Sequence, residues 1–265
     1  MLPVILTYVG VGVIAGILAG LLGIGGGLVI VPMLVFTLTW QGVPNEHIMH
    51  LALGASMASI IFTSVSSFWA HHKRGAVHWD VVRRIVPGIL VGTFLGTFIA
   101  SRMSTNFLKV FFVLFLYYVA TQMLMNKKPK PARQLPGQVG ISGVGAVIGV
   151  VSSLVGIGGG TLSVPFMMWC NIAVHEAIGT SAAIGFPIAV AGTVGYIING
   201  LKVPGLPAYS LGFVYLPALA GIVASSVLTA PLGVRLAHSL PVPKLKRVFA
   251  VLLFAVGTRM LWGLL

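Results

Sequence analysis

Long apolar runs follow one another along almost the whole chain, separated by short polar or glycine-rich interruptions. The runs 3–22, 50–71, 85–101, 107–125, 139–155, 176–198, 209–232 and 247–264 are each near the length an α-helix needs to cross a bilayer, about 20 residues. Two more, 28–39 and 161–171, are shorter, and each stands directly behind a glycine cluster. At about 1.5 Å per residue such a helix reaches only about half way across. The pattern predicts an all-α polytopic membrane protein with about 8–10 membrane segments.

Composition sharpens this reading. Of 265 residues, 57% are hydrophobic and 7% are charged, too few charges to clothe a soluble domain of this size. That excludes an ordinary soluble enzyme, a disulfide scaffold and a disordered chain. The single cysteine, Cys170, has no partner for a disulfide or a redox pair. The formal net charge is +13, from 16 Lys and Arg against 3 Asp and Glu. In a soluble domain this would suggest nucleic acid. In a polytopic chain it is a topology signal, because Lys and Arg collect in cytoplasmic loops. No nucleic-acid partner is expected.

The chain is internally duplicated. Residues 10–33 and 143–166 share 12 of 24 positions, including Gly-Ile-Gly-Gly-Gly with a proline five residues beyond it. His50-Leu-Ala-Leu-Gly-Ala-Ser56 matches His175-Glu-Ala-Ile-Gly-Thr-Ser181, and 108–124 matches 245–261. Three ordered matches divide the chain into a first repeat (1–125), a basic proline-rich linker (126–138) and a second repeat (139–265). The first segment recurs in the second repeat, so it is expected to be a span and not a cleaved signal. Twelve of the 16 basic residues lie in 71–84, 126–138 and 233–247. With these inside, 40–48, 102–106 and 199–208 fall outside, and the two repeats have inverted topology.

The glycine clusters are the strongest candidates for function. Gly23, Gly25, Gly26 and Gly27, and their counterparts Gly156, Gly158, Gly159 and Gly160, are expected to break the membrane helices into hairpins. Such breaks bare backbone N–H groups that must find partners inside the bilayer. Each break is followed by a new helix start, which carries partial positive charge and suits an anion. The alternative is plain helix packing, the role expected for Gly12, Gly16 and Gly20 and for Gly88, Gly92 and Gly96. Neither cluster is followed by the Lys-Ser/Thr of a phosphate loop.

Polar residues within the spans complete the candidate site. Ser56, Thr180 and Ser181 are candidate hydroxyl donors; back-bonding to their own helices is the competing reading. His50, His175 and Glu176 are candidates for coupling a proton, against simpler roles at helix starts. His71-His72-Lys73-Arg74 reads as an interfacial anchor, and Trp40, Trp69, Trp79 and Trp169 as an interfacial belt. Pro187 and Pro217 are expected to kink spans. No metal site, cofactor or catalytic constellation is expected, so the chain does not read as an enzyme.

Two halves, each opening on a Gly-x-Gly-Gly-Gly cluster followed by a proline and continuing with His-x-Ala-x-Gly-[Ala/Thr]-Ser, resemble the sulfite exporter TauE/SafE family, also called the toluenesulfonate uptake permease family. The resemblance runs from about Gly10 to Leu264. It implies a multi-pass carrier of the bacterial inner membrane for sulfite, sulfonates or related organosulfur anions, driven by an ion gradient such as protons. Movement of one repeat against the other would give alternating access. An anion channel with the glycine breaks as its filter is the alternative. A membrane subunit that docks an enzyme is a third reading. Substrate identity, direction, coupling ion and assembly as a homo-oligomer stay open.

Overall fold

The computed structural model describes residues 2–22, 26–125, 133–239 and 242–263. Their helices are α1 (Leu2–Leu22), α2 (Gly27–Trp40), α3 (Asn45–His72), α4 (Trp79–Arg102), α5 (Thr105–Met125), α6 (Gln138–Val155), α7 (Gly160–Trp169), α8 (Val174–Gly200), α9 (Leu216–Ser239) and α10 (Val242–Trp262). A helix satisfies its own backbone, which is why uninterrupted apolar sequence takes this form in lipid. Among the described residues, α3, α4, α5, α6, α8 and most of α9 are long and apolar enough to span a bilayer. The chain is thus a multi-pass, predominantly helical membrane protein.

Helix ends depart from the apolar runs in two ways. Polar first turns extend α3 back to Asn45 and α4 back to Trp79. The run 209–232 is not one segment. Tyr209 and Gly212 take positive φ, and the chain forms a small antiparallel hairpin of β1 (Ser210–Leu211) and β2 (Val214–Tyr215). The hairpin buries Phe213 against Gly54 of α3 and Gly200 of α8, where any side chain would overlap the Phe213 backbone. Pro217 therefore stands in the first turn of α9, where proline is tolerated, and does not interrupt a span. Pro187 lies inside α8 as expected, and Pro231 lies inside α9.

The largest helix contacts recur when the two halves are exchanged. α1 lies on α9 as α6 lies on α4; α3 meets α9 as α8 meets α4; α2 packs on α3 as α7 packs on α8. The remaining large contacts, α3 with α8 and α5 with α10, join matching helices. The halves thus interlock and share one interior.

Small residues make the closest contacts. Gly12, Gly16 and Gly20 of α1 lie in order on Ile222, Ser226 and Ala230 of α9, so the two helices run parallel. Gly88, Gly92 and Gly96 of α4 lie in order on Ser142, Ala146 and Val150 of α6, also parallel. α3 and α8 run antiparallel: Gly179 packs by Ala76, Gly185 by Ser64 and Gly192 by Met57.

The basic segments gather at one face. Arg74 donates to Val234 O (3.0 Å) at the end of α9, and Arg84 donates to Pro136 O (2.6 Å) ahead of α6. Arg133 lies over the Trp169 ring at the end of α7. Linker residues 126–132 lie outside the described residues. His71 is no surface anchor. It is buried, with Nε2 3.2 Å from Gly20 O, and it ties the end of α3 to α1. The opposite face collects the starts of α3 and α5 and the end of α4, joined by Thr105 Oγ1 donating to Glu46 O (2.7 Å). Trp40, Trp69, Trp79 and Trp169 are all exposed near helix ends.

Gly92→Ala is expected to destabilise the protein by about 1–3 kcal/mol, because its Cβ would overlap the Ala146 backbone. Gly143→Ala, on the same helix pair but facing open space, is expected to stabilise by up to about 1 kcal/mol. Thermal unfolding in detergent checks the contrast.

Candidate substrate site at the glycine breaks

Each half is interrupted where glycine allows it. Gly26 (φ 78, ψ −9) caps the start of α2, and Gly159 (φ 77, ψ −7) caps the start of α7. Both are left-handed, a conformation glycine takes at no steric cost. Gly156 (φ 71) ends α6 in the same region. Gly23 and Gly25 lie outside the described residues.

The two breaks meet. A Cβ on Gly27 would overlap Gly156 O and stand 3.0 Å from Ile157 Cα. Gly156 in turn packs on Val31 of α2 and Leu53 of α3, and Gly158 O faces Gly185 of α8. From this meeting point α2 runs to the face that holds Gln41, whose amide donates to Tyr8 OH (2.8 Å). α7 runs to the opposite, basic face at Trp169. Two short helices therefore begin side by side in the interior and diverge.

Neither start has a side-chain cap. The first N–H groups of a helix have no partner within it, and the dipole adds partial positive charge there. Gly156, Gly158, Gly159 and Gly160 are buried, as are Gly26 and Gly27. The arrangement concentrates donor character among buried residues.

Hydroxyls differ between the two breaks. Ser56 donates to Gly156 O (2.7 Å) and so ties α3 to the second break. Ser163 of α7 donates to Ser181 Oγ (2.8 Å), and both are fully buried. Thr180 points elsewhere: its Oγ1 accepts from the His78 N–H (2.9 Å) in the loop between α3 and α4. Two hydroxyls that sequence comparison missed stand at the second break. Ser152 in the last turn of α6 is fully buried, and its Oγ has no hydrogen-bond partner. It lies 3.3 Å from where a Cβ of Gly159 would be. Thr161 Oγ1, in the first turn of α7, is also buried without a partner. In the repeat, Ser152, Thr161 and Ser163 align with Ala19, Leu28 and Ile30, so a search for residues shared by both halves passes over them.

The three ionisable candidates occupy different environments. His50 is buried, stacked on Phe213 (4.9 Å between centroids), with Nδ1 3.2 Å from Glu46 O and Nε2 3.1 Å from Ala100 O. A doubly protonated ring donates to both carbonyls, whereas a neutral ring donates to one only. His50 also lines a depression of about 470 Å³ with Arg102 and Thr105. His175 is exposed. Glu176 is half-exposed and pairs with His78 Nε2 (2.9 Å) at the basic face. The structure therefore does not bring His50 together with Glu176.

These features define a class: a multi-pass membrane protein with two uncapped short helices meeting inside a duplicated helical scaffold. The family model described as "Sulfite exporter TauE/SafE" matches residues 8–260, and the chain belongs to this family. It is similar to a "Probable membrane transporter protein" of Haemophilus influenzae, 40% identical over 98% of this chain and 99% of the relative. A "Probable membrane transporter protein MJ0441" of Methanocaldococcus jannaschii is 25% identical over 98% of this chain and 96% of its own. "Probable membrane transporter protein YunE" of Bacillus subtilis is 29% identical over 71% of this chain and 77% of its own. No solved structure matches the chain.

Ser152→Ala removes a hydroxyl that has no partner, so stability is expected to hold or rise by up to about 1 kcal/mol. Ser56→Ala breaks the bond to Gly156 O and is expected to cost about 1–3 kcal/mol. Denaturation of the two variants in one detergent compares them.

Proposed function

We propose that this membrane transporter is a secondary carrier of small sulfur-containing anions, such as sulfite or sulfonates, in a bacterial inner membrane. The observation that carries the reading is the meeting of two uncapped helix starts in the interior, beside the unpartnered hydroxyls of Ser152 and Thr161. Backbone N–H groups of Gly26, Gly27, Gly159 and Gly160 would hold the oxyanion, with Ser152, Thr161 and the Ser163–Ser181 pair adding hydroxyls. Ser56 acts by positioning Gly156, and Thr180 by holding the His78 loop. The family's description supports sulfite as the substrate class.

The antiparallel α3 and α8, in matching places of the two halves, support inverted repeats, and the basic face is then cytoplasmic. Alternating access would come from one half moving against the other about the glycine contact. His50 is the best-placed proton carrier, because it is buried between two carbonyls and borders a depression open to the opposite face.

Counterflow in proteoliposomes tests the carrier. Trans-stimulated exchange of labelled sulfite is expected, and current without exchange would sink the proposal. Ser152→Ala is expected to weaken sulfite binding about tenfold while leaving stability intact. His50→Gln is expected to keep exchange but lose accumulation driven by a pH gradient. Equal accumulation by the variant would remove the proton role.

A further inference from the structure

On the face opposite the basic loops, a cavity of about 420 Å³ opens between the end of α2 and the starts of α3 and α5, closed by the end of α10. Its walls are apolar: Phe36, Trp40 and Met260. Its charged groups are both cationic, Lys109 and Arg259. Lys109 is 8% exposed. Among the described residues its ammonium donates one hydrogen bond, to Asn45 Oδ1 (2.8 Å), and ion-pairs with no carboxylate. An ammonium carries three donors, so two remain. Because a lysine can only donate, Asn45 must turn its oxygen toward Lys109, and its amide NH2 is then a further donor toward the cavity.

A buried cation without a counter-ion is costly, and this chain has few acids to supply one. Of its three acidic side chains, Glu46 is nearest in sequence to the cavity, but it lies by His47 (3.3 Å) and borders the neighbouring depression. Glu176 and Asp80 belong to the basic face, at the starts of α8 and α4. Among the described residues the cavity therefore combines an ammonium, a guanidinium and an amide donor with an apolar wall, and is lined by no acidic side chain.

We propose that this cavity is a second anion site, for an amphiphilic oxyanion whose charged head sits on Lys109, Arg259 and Asn45 and whose apolar part lies on Phe36, Trp40 and Met260. It does not depend on the glycine breaks being the transport site. The head is the oxyanion of a free organic sulfonate or carboxylate, or the phosphate of a lipid headgroup at the membrane surface.

The test uses the full chain in nanodiscs of neutral phosphatidylcholine. Hexanesulfonate is titrated by calorimetry, with hexyltrimethylammonium as the cation of matched tail. Copurifying phosphatidylglycerol is counted by native mass spectrometry. Binding of hexanesulfonate, absent for the cation and weakened about tenfold by Arg259→Gln, supports the site with a free anion as occupant. Retention of one phosphatidylglycerol per chain, lost in Arg259→Gln, supports it with a lipid headgroup. Arg259 is exposed, so this variant keeps the fold; Lys109→Gln is the second variant, compared with Lys109→Arg, which keeps the charge. Neither ligand bound, or binding unchanged in both charge-removing variants, overturns the proposal. Normal binding here alongside loss of transport in Ser152→Ala would separate this site from the one at the breaks.

Discussion

At the centre of the molecule Gly27 faces the Gly156 carbonyl with no room for a side chain on either. The contact joins backbone to backbone, across the two halves, where the chain has left its helices. Irregular backbone inside hydrocarbon is stable only if protein, water or ligand satisfies it. The surrounding helices meet this constraint: Ser56 takes the Gly156 carbonyl, Leu53 and Val31 cover Gly156, and Ile188 covers Gly159. The parallel pairs α1–α9 and α4–α6 then hold the halves together through glycine faces. The short helices α2 and α7 depend on this frame, because neither is long enough to span by itself.

The two halves share backbone geometry at the breaks but not the side chains around them. Gly26 and Gly159 have the same backbone geometry to within a few degrees. Their surroundings differ. The second break is lined by Ser152, Thr161 and Ser163, where the first half carries Ala19, Leu28 and Ile30. His50 is buried against Phe213 and two carbonyls, whereas His175 is exposed to the surface.

Charge is also divided by face. Arg74, Arg84 and Arg133 are spent in part as clamps between helix ends, each reaching a carbonyl or ring of another segment. Lys109 and Arg259, two of the four basic residues outside the basic loops, share a cavity on the other face. With only three acidic side chains in the chain, neither of these two cations is paired with a carboxylate among the described residues.

Hydropathy and the two Gly-Ile-Gly-Gly-Gly clusters were enough to predict a helical membrane protein and to mark where the short helices α2 and α7 begin, because these depend on local composition and on backbone freedom at glycine. Local signals also misled. The apolar run 209–232 hides a hairpin, since Phe213 is buried by α3 and α8 and not by lipid. Thr180 matches the repeat pattern but serves a loop, while Ser152 and Thr161 match nothing and stand at the break. Only the tertiary structure decided which hydroxyls face the breaks, that His50 is enclosed while Glu176 pairs with His78, and that Lys109 shares a cavity with Arg259. Those facts arise from contacts between residues far apart in the chain, where the direction of a side chain is set by the packing of its helix and leaves no periodic trace in the sequence.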